Sequence, residues 1–279
     1  MTGKPNPAVQ RFAAVVLAAD RTSKDPITQY TGAACKAFAP VAGIPMIIRV
    51  LNTLQACEQI STIILCGPPG PLHDHCPELQ QRIASGQVTW LPNLDSPSRS
   101  AESGLNHIPL DTPVLLTTAD HALLTPAIVC SFLQRAAATS CDAAVGAVGE
   151  QAINAAFPGC KRTIIRLRDG GFRGCNLYAF NSRGRALVGF WRQAEDLRKR
   201  PWRLIGKVLG FKAVFLYIFG LLTSQQGLSA VSEKSGVNIQ AIMLDDARAG
   251  IDVDKVDDLL LAESILSREA ACANGIQSA

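Results

Sequence analysis

Phe12-Ala13-Ala14-Val15-Val16-Leu17-Ala18-Ala19-Asp20-Arg21 is an apolar run that stops at a charged pair. Its apolar part is short and bounded by polar chain, which suits a strand buried on both faces, as in parallel sheets. A long loop, 20–39, follows. Pro45 then opens a helix whose apolar residues Met46, Ile47, Val50, Leu51 and Leu54 recur at three-to-four spacing. Thr62 to Cys66 is the next apolar strand, ended by Gly67-Pro68-Pro69-Gly70, and Val88 to Leu91 is a third. Pro113 to Thr118 is a fourth and leads into Asp120; Thr125-Pro126 is an N-cap with proline at the first helical position. Asp142 to Val148 is a further strand. This alternation predicts a Rossmann-like α/β fold, a doubly wound and mostly parallel sheet with helices on both faces. Such sheets bind ligands outside the carboxyl ends of their strands.

The pattern changes near residue 150. Thr163–Leu167 and Asn176–Phe180 read as strands around the turn Asp169-Gly170-Gly171. Residues 183–224 read as helical, Val237–Leu244 as strand, and Asp257–Arg268 as a closing helix. No repeat or low-complexity linker divides the chain. Residues 1–279 are therefore expected to form a single domain, with 150–235 an acceptor-side hairpin and helical elaboration within it.

Composition bounds the function. The 279 residues are 48% hydrophobic and 18% charged, which is a folded chain with a sizeable core. A net charge of +4 gives no bulk argument for nucleic-acid binding. The nine cysteines show no Cys-x-x-Cys spacing and several sit in apolar runs, as free thiols of a reducing compartment do. Residues 1–10 lack the basic and apolar regions of a signal peptide, so a cytoplasmic location is expected.

The chemistry-bearing residues fall at the strand ends. Small residues after Leu17 let a backbone approach a phosphate or base closely, and a loop lysine such as Lys36 neutralises phosphate charge. Ser98, at the start of a Ser-rich helix, reads as an N-cap, where free N–H groups suit an anion. Asp120 ends an apolar strand. In Gly250-Ile251-Asp252-Val253-Asp254, an extended segment places both carboxylates on one side. Phosphoryl transfer builds negative charge, and Mg²⁺ held by one or two carboxylates offsets it. Asp257 and Asp258 are better explained as first-turn carboxylates of the last helix.

Val-Leu-Ala-Ala, a loop, a lysine and then Pro40-Val41-Ala42-Gly43-Ile44-Pro45-Met46 resemble the MobA-like NTP transferases, whose fold is of the GT-A type. The resemblance implies that Leu17, Ala18, Ala19, Asp20 and Arg21 wrap a nucleotide and that Lys36 contacts its phosphates. It implies that Ser98, Arg99, Ser100 and Ser103 hold the nucleobase. Asp120 becomes a metal ligand, Asp254 the second and Asp252 its substitute, with Mg²⁺ as cofactor and Lys36 and Asp120 as catalytic residues. Many relatives have Gly-Gly or Ala-Gly where this chain has Ala19-Asp20, and Lys255 replaces a usual threonine. The implied partners are an NTP, CTP or GTP before others, and a phosphorylated or hydroxyl acceptor. A glycosyltransferase using a nucleotide sugar and a non-catalytic nucleotide sensor stay open as alternatives.

A basic stretch supplies the acceptor side. Lys161, Arg162, Arg166 and Arg168 fit phosphate oxygens, and alternation along a strand would set Arg162, Ile164, Arg166 and Arg168 on one face. Asn176 matches the family's Gly-x-Asn acceptor segment. Residues 198–222 combine Arg198, Lys199, Arg200, Trp202 and Arg203 with Phe211, Phe215, Tyr217 and Phe219. The uninterrupted apolar part, 213–222, is about half of the roughly 20 residues a bilayer span needs. Packed helices are one reading. A peripheral contact with the inner membrane face, near a lipid-pathway acceptor, is the other.

Overall fold

The computed structural model describes residues 10–18, 25–160, 162–196 and 210–276. Ala19, Asp20, Arg21, Lys161 and the basic residues 198–203 lie outside them. The described strands are β1 (Phe12–Leu17), β2 (Pro40–Val41), β3 (Ile44–Pro45), β4 (Ile60–Cys66), β5 (Thr89–Leu91), β6 (Val114–Thr118), β7 (Ala143–Gly149), β8 (Ile165–Leu167), β9 (Gly170–Phe180) and β10 (Ile239–Leu244). The helices are α1 (Pro26–Thr31), α2 (Met46–Gln55), α3 (Pro77–Ala84), α4 (Pro97–Asn106), α5 (Pro126–Ala137), α6 (Glu150–Ala156), α7 (Ala186–Asp196), α8 (Gly210–Ile218), α9 (Ser224–Ser235) and α10 (Val256–Ile276).

The described residues form one sheet in the order β10-β7-β9-β6-β1-β4-β5, with β8 beside β9, and a small β2-β3 ribbon. Within the large sheet neighbours pair in parallel except at β9, which runs antiparallel to β6, β7 and β8; the β2-β3 ribbon is antiparallel. Residues from beyond position 150 are thus built into the centre of the sheet, between β6 and β7.

Strand β1 explains the two-sided core. Ala14, Val16 and Ala18 pack on one face with α2, α3 and α5, through Leu51, Leu79 and Phe132. Ala13, Val15 and Leu17 pack on the other with α4, through Ala101 and Leu105. Period-two alternation with both faces apolar produces the continuous hydrophobic run. Gly104 brings α4 close to the sheet: a Cβ there would lie 2.7 Å from Val15 Cγ1. A third cluster, including Ile27, Met46, Leu123, Ile251, Val253 and Leu259, joins α1, the loop after β6 and α10.

Several local expectations change. The loop after β1 holds α1, N-capped by Asp25, and a 3-10 turn at Lys36–Phe38. Helix α4 is capped by Ser96, whose hydroxyl accepts from Arg99 N–H; Ser98 is inside the first turn, because Pro97 takes the first helical position. Arg162 and Arg166 do not share a face. The strand spans only Ile165–Leu167, so alternation does not reach Arg162, whose side chain is 4% exposed against 74% for Arg166.

Candidate nucleotide site

Strand order reverses at β1. β4 and β5 lie to one side of it, and β6 lies to the other after the crossover through α4. The crevice expected at such a switch point is present. A cavity of about 400 Å³ is lined by Leu17 and Ala18 from the end of β1 and by Leu116–Asp120 from β6 and its turn. Pro97 and Ser100 of α4, Asn176 and Tyr178 of β9, and Trp191 of α7 add the other walls. Asp25, Lys36, Ala37, Asp252 and Asp254 complete the lining.

Lys36 comes from the 3-10 turn, which buried Ala37 and Phe38 pin to the core. Its ammonium is 2.8 Å from Asp120 Oδ2 and 2.8 Å from Asp254 Oδ1, joining residues far apart in sequence. Thr118 Oγ1 donates to Asp120 Oδ1 at 2.6 Å. Burial by itself would lower the Lys36 pKa, but the two carboxylates outweigh it and hold it above the ordinary lysine value. Burial likewise would raise Asp120, and Lys36 with the Thr118 hydroxyl brings it below the usual carboxylate range. Both groups are therefore charged across the physiological range. Burial lowers the His121 pKa, which leaves that imidazole neutral.

The loop 250–254 alternates as read: Ile251 and Val253 are buried, while Asp252 and Asp254 face the cavity. Val253 N–H donates to Asp120 O at 3.0 Å, fastening the two carboxylate-bearing turns together. The carboxylates then diverge. Asp254 is 57% exposed. Asp252 is 13% exposed; it pairs with Arg173, accepts from Asn176 Nδ2 at 3.1 Å, and lies 3.6 Å from Arg162. Arg173 Nε also donates to Gly250 O at 2.7 Å. Arg162 donates to Asp252 O at 2.9 Å and pairs with Asp258 at 3.0 Å. Asp258 accepts from the N–H groups of Asp254 and Lys255, both at 2.9 Å, so it secures the start of α10. Asn176 has φ +50°, a conformation asparagine tolerates better than most residues.

The structure thus gathers Leu17, Ala18, Lys36, Ser100, Asp120, Asn176, Asp252 and Asp254 around one cavity. Ser98 is buried, with its hydroxyl donating to Glu195, and Ser100 Oγ accepts from Leu94 N–H at 2.9 Å. Arg99 faces solvent 3.7 Å from Asp95, and Ser103 is absent from the described lining. Arg162, Arg166 and Arg168 are absent from it too: Arg162 is spent on Asp252 and Asp258, and Arg166 pairs with Glu150 at 2.7 Å. Sequence reading missed Asp25, Thr118, Tyr178, Arg173 and Trp191. Thr118, two residues before Asp120, carried a usable signal. Trp191 carried none, because it reaches the cavity only through the packing of α7.

A model of the MobA-like NTP transferase domain matches residues 14–234. No curated protein matches the chain. A solved structure described as a hypothetical transferase from Thermus thermophilus is 26% identical, with TM-score 0.73, covering 90% of this chain and 100% of that one. CMP:2-keto-3-deoxy-manno-octonic acid synthetase complexed with CTP is 14% identical, with TM-score 0.59 over 92% and 99%. 4-Diphosphocytidyl-2C-methyl-D-erythritol synthase from Anaerococcus prevotii is 12% identical, with TM-score 0.58 over 92% and 99%. These last two share the fold.

Proposed function

The chain belongs to the MobA-like NTP transferase family, and from that premise we propose that it transfers a nucleoside monophosphate from an NTP to an acceptor, releasing pyrophosphate. The observation that carries this reading is the convergence of Asp120, Asp254 and Lys36 at the switch-point cavity. The acceptor oxygen attacks the α-phosphorus, the bond to the bridging oxygen of pyrophosphate breaks, and the electron pair leaves with that oxygen. The protein supplies no nucleophile; its contribution is positioning and electrostatics.

The donor set suits Mg²⁺. Asp120 and Asp254 converge on one cation, and two carboxylates with substrate phosphates and waters are what this ion takes. When bound there, Mg²⁺ supplies charge neutralisation for the phosphates. Lys36 is the mobile partner in this reading: it pairs with the carboxylates and turns to the phosphates when nucleotide enters. The small residue Ala18 lets the nucleotide lie against the end of β1, and the first turn of α4 at Pro97 and Ser100 walls the base. CTP is the first nucleotide to test, since two solved proteins sharing the fold are named for cytidylyl chemistry. The acceptor reaches the cavity beside Asn176, Tyr178 and Trp191.

The test is pyrophosphate release from each of the four NTPs with pooled sugar, polyol and phosphate-ester acceptors, with Mg²⁺ and with EDTA. Acceptor-dependent release that EDTA abolishes is the expected result. Tight NTP binding without turnover on any pool would replace the transferase by a nucleotide sensor. Turnover of a nucleotide sugar with nucleoside diphosphate release would replace it by a glycosyltransferase.

A further inference from the structure

The nucleotide site leaves unused an apolar helix and a basic hairpin, and the structure brings them onto one surface. In and just after α8, Phe215, Tyr217, Ile218, Phe219 and Leu221 are 47–70% exposed, while Ala213 and Leu222 are buried and hold the segment to the protein. Isolated exposed apolar residues are ordinary, but five within seven positions form a patch that calls for a partner. The N–H of Arg168 donates to Leu222 O at 2.9 Å. Asp169 accepts from the N–H and hydroxyl of Ser224, at 2.9 and 2.5 Å. The β8–β9 tip is therefore fastened to the chain leaving α8, and it adds exposed Ile165 and Arg166 to this face. Gly149, the last residue of β7, pairs with Phe172, so the tip projects past the carboxyl end of the sheet.

Charge identifies the occupant. From Leu197 to Ser232 the sequence holds six basic residues, Arg198, Lys199, Arg200, Arg203, Lys207 and Lys212, and no acidic one. A second copy of the chain would oppose the exposed Arg166, Arg168 and Lys212 of this face with an equal set. No described helix is long and apolar enough to cross a bilayer. We propose that this face docks on the surface of an anionic lipid bilayer. Phe215 and Phe219 enter the headgroup boundary, and the exposed Arg166, Arg168 and Lys212 lie against the lipid phosphates. The inference is independent of the nucleotide chemistry.

The experiment is co-sedimentation of the full chain with vesicles of phosphatidylcholine alone or mixed with phosphatidylglycerol, at low and high salt. Binding is expected on the anionic vesicles and should fall as salt rises. Phe215→Ser/Phe219→Ser should weaken partitioning by about tenfold or more, and Arg166→Glu/Lys212→Glu by a similar factor. Circular dichroism confirms that each variant is folded. The charge-reversed pair alters only solvent-facing side chains, so it decides the matter if the phenylalanine pair does not fold. Failure of the wild type to bind anionic vesicles at low salt overturns the proposal, as does equal binding by the folded charge-reversed variant. Self-association in light scattering that Phe215→Ser/Phe219→Ser abolishes, without vesicle binding, overturns it in favour of a second copy of the chain.

Discussion

The segment Asp252-Val253-Asp254 feeds two ionic clusters that differ in how much water reaches them. At one end, Asp254 and Asp120 share the Lys36 ammonium, and the Asp254 side chain is 57% exposed. At the other, Asp252 and Asp258 are enclosed by Arg162 and Arg173, with every side chain between 4 and 13% exposed. An ion pair open to water exchanges partners at little cost, because solvent replaces what each group gives up. A buried pair cannot: removing one partner strands the other charge in a poorly solvated site. Similar charge chemistry therefore gives a water-accessible pair at Asp254 in one place and a clamp at Asp252 in the other.

Asp120→Asn tests the open cluster hardest. It keeps the shape and the Thr118 contact but removes a charge that the proposed chemistry requires. Nucleotidyl transfer should fall about a thousandfold, on the order of 4 kcal/mol of transition-state stabilisation, while the melting temperature changes little. A variant with near-normal turnover at saturating Mg²⁺ would remove Asp120 from the site.

Arg173→Ala tests the buried cluster and should show the opposite pattern. It leaves Asp252 to Arg162 and Asn176 alone and frees Gly250 O, so denaturant titration should reveal a stability loss of about 3 kcal/mol. The double variant Arg173→Ala/Asp252→Ala should recover part of that loss. If the single variant is as stable as the wild type, the clamp interpretation fails.

Lys36→Ala sharpens the contrast. Asp254 stays hydrated without its partner, but the largely buried Asp120 loses its counter-charge, so stability should fall, though less than in Arg173→Ala. NTP affinity by calorimetry should weaken about 10–100-fold. Unchanged affinity would show that Lys36 never turns to the phosphates.

Asp142 supplies a control in which neutral donors do the holding. The N–H of Asn238 donates to it at 3.1 Å and the Asn181 amide at 3.2 Å, and these bonds bring its carboxyl below the usual range. The charged form is thus favoured by folding. Its contribution is complete above the unfolded value near ~3.9 and is lost as pH falls through the lower folded value. Asp142→Ala should cost about 1 kcal/mol at neutral pH and less in acid, measured by urea titration at several pH values.

Much of this was legible locally. The run at 12–18, the Thr125-Pro126 cap and the Asp-x-Asp alternation each follow from a few neighbouring residues, and the structure keeps all three. The basic stretch 161–168 was not legible in this way. Arg162 and Arg166 look alike in sequence, yet one is enclosed by carboxylates from residues 252 and 258 and the other faces solvent. Ser98 shows the same limit on a smaller scale, because its partner Glu195 lies on α7.

The sequence by itself determined the doubly wound α/β class and the membership of the NTP transferase family, and it singled out Lys36, Asp120 and Asp254. Those follow from hydrophobic period and from residue types at short spacing, which a linear chain displays directly. Only the tertiary structure decided that β9 enters the middle of the sheet, that Asp252 is clamped while Asp254 stays open, and that the basic hairpin adjoins the apolar face of α8. The first and third depend on backbone pairing between distant segments, and the second on which side chains compete for the same partner after folding. Residues 76–90 positions apart settle that competition at distances of 2.9–3.6 Å, and no local pattern encodes it.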